Sequence, residues 1–473
     1  MPASRLPVPV AAAACAGMLF VLLLRPVYDF DIFWQLRLGE LSLDQGGRVH
    51  AEPFAASHLG EPLPPIGWLG QIVYALARRA GGWPAVRVLD ALVWVGGFWA
   101  VAAAARRTGA GNLAVLVALG VGFMAALPCA SVRPQSFAAL GLGVALAIWT
   151  LTPRLVRGLP LLAVTFVLWQ NLHPSAGIAA IIFGATALVG WGRWAFGYRL
   201  RPPWLVTGGA ALAGLAVFAT PAGAGILPVT AYNAEMSVRL GVNEWLPPWD
   251  ASNYPAGLTF AAAALASGWL IARNWRRVDV EEAVPAAVLF VLTLTAHRFA
   301  LFWGIAIVPV LARCLTATRA EPVERPRAAA LWGMLFVLAA IGLAGLVRPT
   351  WFHESLPLEG VDRLRATGVR GTVYCHYPYG GPLIDVGYPD WVVTFDGRYY
   401  RYTLEEWEGY GAAVRGELSI DEIDRRYHPA AFFLRPGPDA ELIRRLEAHP
   451  GWRRVYEDQT SSAFVREKAS GGP

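Results

Sequence analysis

Residues 66–80, IGWLGQIVYALARRA, decide how the chain is threaded. The stretch is apolar enough to be counted as a membrane span. It is short, however, and Ile66, Leu69, Ile72, Val73 and Leu76 fall on one helical stripe. A helix of that kind lies along a membrane surface instead of crossing it. The choice propagates, because one extra span would reverse the side of every later loop. With residues 66–80 read as interfacial, spans of roughly 20 apolar residues are expected at 7–25, 84–105, 111–129, 134–152, 159–174, 175–195, 203–220, 253–272, 283–297, 299–316 and 328–347. Arg106 and Arg107, then Arg154 and Arg157, Arg193, Arg199 and Arg201, Arg273, Arg276 and Arg277, and Arg319, Arg325 and Arg327 all fall on the side of the N-terminus. The positive-inside rule makes that side cytoplasmic. Arg78 and Arg79 stand as a local exception on the outer side.

Composition agrees. The chain has 473 residues, 55% hydrophobic and 16% charged, with mean hydropathy +0.42. That is too little charge for a soluble protein of this length and fits a polytopic membrane protein. The net charge of +6 comes mostly from arginines between apolar runs, so it signals topology and not nucleic-acid binding. Cys15, Cys129 and Cys314 lie in apolar runs and Cys375 stands alone, so no disulfide framework is expected. Ala12-Ala13-Ala14-Cys15 is followed by more apolar sequence, so the first helix reads as uncleaved. Lys468 is the single lysine, a usage that points to a GC-rich bacterial genome.

The expected architecture is therefore α-helical and polytopic, with about 11 spans in residues 1–349. A first outer loop, 28–83, carries two interfacial helices, and residues 350–473 form a small extracytoplasmic α/β domain. The first interfacial helix covers Ile32–Leu43, with Asp31 placed as its N-cap. In the C-terminal domain, Thr372–Tyr377, Val392–Phe395 and Ala430–Leu434 read as strands, and Trp452–Tyr456 with Ser462–Arg466 as a closing hairpin. Ser419 and Glu422 have capping-box spacing for a helix to about Tyr427, and a second helix starts at Asp439. Gly380-Gly381 and Asp396-Gly397-Arg398, followed by Tyr399 and Tyr400, read as turns or as a lid over a cavity.

This threading sorts the polar residues. Asp29 and Asp31, Arg133, Asn171 and His173, Glu244 and Trp245, and His297 and Arg298 all fall at outer ends of spans. Ionisable groups at membrane depth are costly, which makes each a candidate for function. Together they predict a polar cavity opening outward. Each also has a plainer reading: loop acids, interfacial snorkelling of the arginines, a helix-end histidine, a tryptophan belt.

The order of these features resembles the GT-C superfamily of membrane glycosyltransferases. The carrying residues are Asp29-Phe30-Asp31-Ile32-Phe33-Trp34-Gln35, Arg133-Pro134, Asn171-Leu172-His173, Glu244-Trp245, Gly380-Gly381 and Asp396-Gly397-Arg398. They are most similar to a group of largely uncharacterised bacterial multi-pass members, with one departure: Gln35 stands where that group's pattern has His. The resemblance implies a multi-pass protein of the bacterial plasma (inner) membrane. It implies transfer of a sugar from a polyprenyl-phosphate donor to a glycan, lipid or protein acceptor outside, with inversion and with no part for nucleic acid. Asp29 is then expected to be the general base, with Asp31 beside it, and Arg133, His173 and Arg298 to hold the lipid phosphate. Asn171, Glu244, Trp245 and His297 are further donor or substrate contacts, and Asp396, Arg398 and Tyr399 are expected on the acceptor side. Another reading has Asp29 and Asp31 binding Mg2+ or Mn2+. Two other functions stay open: a non-catalytic scaffold or glycan-binding subunit of envelope assembly, and a transporter of lipid-linked saccharides. The few polar residues deep in the spans argue against the transporter.

Overall fold

A computed structural model describes residues 10–152, 154–316 and 328–467. The Arg319, Arg325 and Arg327 cluster and Lys468 lie outside the described residues. Each expected span coincides with a helix. These are α1 (Val10–Leu24), the second part of α3 (Trp68–Arg107), α4 (Asn112–Ala126), α5 (Gln135–Leu151), α6 (Leu155–Leu172), α7 (Gly177–Ala195), α8 (Trp204–Ala216), α10 (Tyr254–Arg273), α11 (Val280–Thr295), α12 (Ala300–Leu315) and α13 (Ala328–Val347). Among the described residues six helices are long and apolar enough to cross a membrane, and several shorter apolar helices accompany them. The protein is an integral membrane protein. Small residues let its helices meet backbone to backbone. A Cβ on Gly122 of α4 would lie 2.1 Å from the carbonyl oxygen of Gly304 on α12, and one on Gly304 would lie 2.4 Å from that of Gly122.

The stretch that decided the threading forms the first part of α3. Helical geometry fails at Gly81 (φ −161°, ψ 25°) and Gly82 (φ 65°, ψ −158°), and this break separates the amphipathic turns from the span that follows. Gly82 can take that positive φ without strain. The exception at Arg78 and Arg79 also has a cause. Arg78 pairs with Glu40 at 2.8 Å and Asp385 at 2.7 Å, and Arg79 pairs with Asp44. Their charges are matched within the protein.

The other interfacial helix is α2 (Asp31–Asp44). Asp31 does not cap it. Asp31 is its first residue, and the Asp31 N–H donates to Asp29 Oδ1 at 2.8 Å. The aspartate two residues back takes the capping bond. Four of the described α-helices went unread in the sequence: three of the C-terminal layer, at Leu358–Ala366, Gly380–Gly387 and Leu404–Val414, and, on the bundle side, α9 (Ile226–Arg239). Its mixed polar sequence, ILPVTAYNAEMSVR, carries a proline near its start and no apolar run.

Beyond α13 come α14 (Leu358–Ala366), β1 (Gly371–Cys375), α15 (Gly380–Gly387), β2 (Trp391–Val393), α16 (Leu404–Val414), α17 (Ile420–Tyr427), β3 (Ala431–Leu434), α18 (Ala440–Glu447), β4 (Trp452–Glu457) and β5 (Ser462–Arg466). The sheet order is β2-β1-β3-β5-β4. β1 runs parallel to β2 and β3, and β5 is antiparallel to β3 and β4, so the closing hairpin is present. The Ser419–Glu422 capping box forms in both directions. Gly380-Gly381 is not a turn; it opens α15. Glycine is needed at Gly381 because α15 lies against the start of α2: a Cβ there would sit 2.1 Å from the Phe30 carbonyl oxygen.

The change in composition near Val347 marks the last apolar helix, but the core crosses that line. Trp34, Leu38, Val49, Phe54 and Leu63 of the first loop are buried with Val373, Leu383, Trp391, Val393 and Phe433. Val27 bridges Phe352, and Ala55 bridges Val393 beside β2. The first loop is thus part of the layer that holds the sheet.

Candidate active site

Where the helical bundle meets this layer lies a cavity of about 480 Å³. Asp31, Arg133, His173, Glu244, Trp245, Arg298, Arg398 and Tyr399 line it. These residues come from α2, the loops before α5, after α6 and before α10, the N-terminal end of α12 and the loop after β2. Ile178, Val217, Ile226, Leu227 and Phe302 give it an apolar wall on the bundle side. Residues far apart in sequence therefore line one cavity.

A row of alternating charge runs along it. Arg133 Nη1 lies 3.4 Å from Asp29 Oδ2, and its Nη2 donates to Glu244. Arg298 Nη1 lies 3.3 Å from Glu244, and its guanidinium stacks 4.1 Å above the Trp245 ring. Arg133 still has a buried Nε–H without a partner. Burial pushes the Glu244 carboxyl up, but Arg133 and Arg298 outweigh it and hold it at about 2. Burial, with Arg298 and Arg133 nearby, drives His173 down to about 3, so its imidazole is neutral. Its Nδ1 lies 2.8 Å from Ser175 Oγ.

The two aspartates differ. Asp29 faces Arg133, accepts the Asp31 N–H and is not among the cavity-lining residues. Burial raises its pKa, against the pull of Arg133. Asp31 lines the cavity, and Trp34 Nε1 donates to its Oδ1 at 3.1 Å. Burial and the neighbouring Asp29 charge push Asp31 up to about 8. The backbone of Gly397 closes over it: a Cβ there would come 2.0 Å from Asp31 Oδ1.

Asn171, His297 and Asp396 do not line the cavity. The Asn171 amide accepts from Trp68 Nε1 at 2.8 Å and donates to the carbonyls of Val167 at 2.9 Å and Ala219 at 2.7 Å, joining three segments beneath the cavity. His297 is buried, with both ring nitrogens unpartnered, and does not line the cavity. Asp396 and Arg398 form a buried triad with Glu52: Arg398 meets Glu52 at 2.6 and 2.9 Å and Asp396 at 2.6 and 2.9 Å. Tyr399 and Tyr400 form the cavity edge.

Several residues escaped the sequence reading. Asp90, on α3, accepts from Ser136 Oγ at 2.6 Å, from the Arg133 N–H at 3.3 Å and from Tyr74, whose hydroxyl also lies 3.1 Å from the Arg133 carbonyl. It fixes the turn that presents Arg133. Nothing local in the sequence marks it, because its partners lie on other segments. Gln135 also lines the cavity, as does Gln35, which the sequence marked only as a departure from the family pattern. Gln35 is one helical turn beyond Asp31 on the same face, and that spacing was legible. Tyr232 of α9 donates to the Tyr402 carbonyl at 2.9 Å, tying α9 to the loop after β2.

As a metal site the acids fit poorly. No group of three His, Cys, Asp or Glu side chains converges among the described residues, and Asp29 is already matched by a guanidinium. A dication there would have to displace Arg133, so no step is derived through one.

No family model matches the chain, and no curated protein matches it by sequence. Solved structures do. ArnT from Cupriavidus metallidurans, in its apo state and bound to undecaprenyl phosphate, superposes with a TM-score of 0.56 at 13% identity over 98% of both chains. The chain shares the fold of this structure. Arabinofuranosyltransferase AftD from Mycobacteria matches 97% of this chain with a TM-score of 0.52 at 14% identity. The chain spans 40% of AftD's length.

Proposed function

We propose that the protein transfers a sugar from a polyprenyl-phosphate donor to an acceptor outside the membrane, inverting the anomeric carbon. The observation that carries this reading is the cavity itself. An apolar wall, two arginines and an unpaired carboxylate meet where the bundle ends. That is the chemistry a lipid-linked phosphate and an incoming nucleophile need. The fold shared with a protein whose structure contains undecaprenyl phosphate supports the same donor class.

In this reading Arg133 and Arg298 hold the donor phosphate, and Glu244 keeps their guanidiniums together until it binds. Neutral His173 donates or accepts a hydrogen bond nearby. Asp31 takes the proton from the acceptor nucleophile as the new C1–O bond forms. The old C1–O bond breaks with its electron pair going to the phosphate, whose charge the arginines stabilise. Asp31 is preferred to Asp29 as the base because Asp31 faces the cavity, whereas Asp29 is committed to Arg133 and to the start of α2. Tyr399 stands on the acceptor side, on a loop that Asp396 and Arg398 anchor. The protein is placed in the bacterial plasma membrane, N-terminus inside, with residues 350–473 outside.

The test is mass spectrometry of envelope glycans and lipids from a strain lacking the protein, complemented with wild type or with Asp31→Asn. A sugar-sized mass restored by wild type and not by a stably expressed Asp31→Asn is the expected result. Equal restoration by both overturns the role of Asp31, and an unchanged profile in the deletion strain overturns the transferase.

A further inference from the structure

Two glutamines on the cavity wall have polar atoms that the fold does not use. Gln135 is 4% exposed, yet neither its Nε2 nor its Oε1 has a hydrogen-bond partner. Gln35 Oε1 is likewise buried and unpartnered. Leaving a buried amide group unpaired is costly, and both glutamines carry that cost on the cavity wall. The contrast with Gln170 on the same wall is direct. Its Oε1 accepts from the Ala176 N–H and its Nε2 donates to the Val217 carbonyl, both at 3.2 Å, so its amide joins backbone segments. Gln35 sits four residues after Asp31 on α2, and Gln135 follows Arg133-Pro134 at the start of α5. Unspent hydrogen-bonding capacity thus flanks both the carboxylate and the arginine.

Charge narrows what they bind. Arg133 and Arg298 are matched by Asp29 and Glu244 and, in the reading above, by the donor phosphate, and Arg398 is matched by Glu52 and Asp396. No further carboxylate among the lining residues is unpaired to meet an amino sugar, and no further cation to meet an acidic one. We propose that Gln35 and Gln135 recognise the transferred glycosyl unit by hydrogen bonds to its hydroxyls, and that this unit is an uncharged sugar. An amide both donates and accepts, as a hydroxyl does, so it pairs with a neutral sugar without a charge penalty.

This inference rests on the donor reading, and the test separates the two. Full-length protein in detergent is titrated, by native mass spectrometry or microscale thermophoresis, with undecaprenyl phosphate. The titration is repeated with the same lipid carrying arabinose, glucose, galactose or mannose, and with glucosamine. At least one neutral sugar is expected to bind about tenfold tighter than the bare lipid phosphate, the worth of one to two net hydrogen bonds, and glucosamine to gain nothing. Gln35→Leu and Gln135→Leu should each remove most of that gain while still binding bare undecaprenyl phosphate, which also reports that they are folded. A gain kept in both variants, or a larger gain for glucosamine, overturns the inference and leaves the donor reading standing. Failure of wild type to bind undecaprenyl phosphate overturns both.

Discussion

Arg398 and Arg133 are both buried guanidiniums between two carboxylates, and their surroundings differ. Arg398 makes four hydrogen bonds to Glu52 and Asp396. Those acids are themselves saturated: Glu52 accepts from the N–H groups of Phe54 and Ala55, and Asp396 from the Arg398 N–H and the Tyr402 hydroxyl. The acids' oxygens are filled, and four of the five guanidinium N–H groups are spent on them. Arg133 lines the cavity and has an unused Nε–H. Its partner Glu244 is shared with Arg298. Burial is common to both sites, so burial alone does not mark function. The distinction lies in how much of the hydrogen-bonding valence the fold consumes. A saturated network fixes how two parts of the chain sit together, whereas an unsaturated one beside a cavity has capacity for a substrate.

This contrast can be broken by experiment. The largest effect is expected from Asp31→Asn, which should lower the transfer rate by about 10²–10⁴-fold, the usual worth of a general base, with little change in melting temperature. Asp29→Asn should cost less in rate, because its carboxylate acts through Arg133. If Asp29→Asn is the more damaging of the two, their roles are exchanged.

Next comes Arg398→Met. It leaves Glu52 and Asp396 buried without their cation, and breaking such a pair typically costs about 3–5 kcal/mol. Detergent-solubilised protein should melt earlier or fail to accumulate. Arg133→Met should do the reverse: near-wild-type melting with donor KM raised, by about tenfold or more for one lost charge-assisted pair. Similar melting losses for both would erase the distinction.

A further handle is pH. With Asp31 held at about 8, the base is protonated at neutral pH. The rate should therefore climb with pH and level off above about 8, and Asp31→Asn should lack that limb. The stability sign is opposite. The folded pKa lies above the ordinary value of 3.8, so this group's contribution is full below about 4, falls as pH rises towards about 8 and is then flat. A rate profile flat from pH 6 to 9 would count against Asp31 as the base.

The smallest effect probes the sheet layer alone. Ser419→Ala removes the capping box of α17 and should cost about 1 kcal/mol, read as a slightly lower melting temperature with unchanged transfer rate. A change in rate would mean that α17 couples to the cavity.

The sequence by itself determined the spans, the separation of residues 66–80 from the span that follows, the strands and the order of the polar clusters. These follow from local rules: apolar length, helical periodicity, arginine distribution and capping spacing act within a few residues of one another. Which of the marked residues share a cavity was decided by tertiary structure. Asp29 and Asp31 are two residues apart, but only Asp31 faces the cavity, because Asp29 receives the N–H that starts α2 and meets an arginine about a hundred residues on. Asp396 and Arg398 read as exposed turn residues until Glu52, from the first loop, completes their triad. Asp90 and Gln135 carried no local mark, since their importance depends on partners, present or missing, contributed by other segments. Hydrogen-bond saturation is a property of the packed molecule, and no window of sequence contains it.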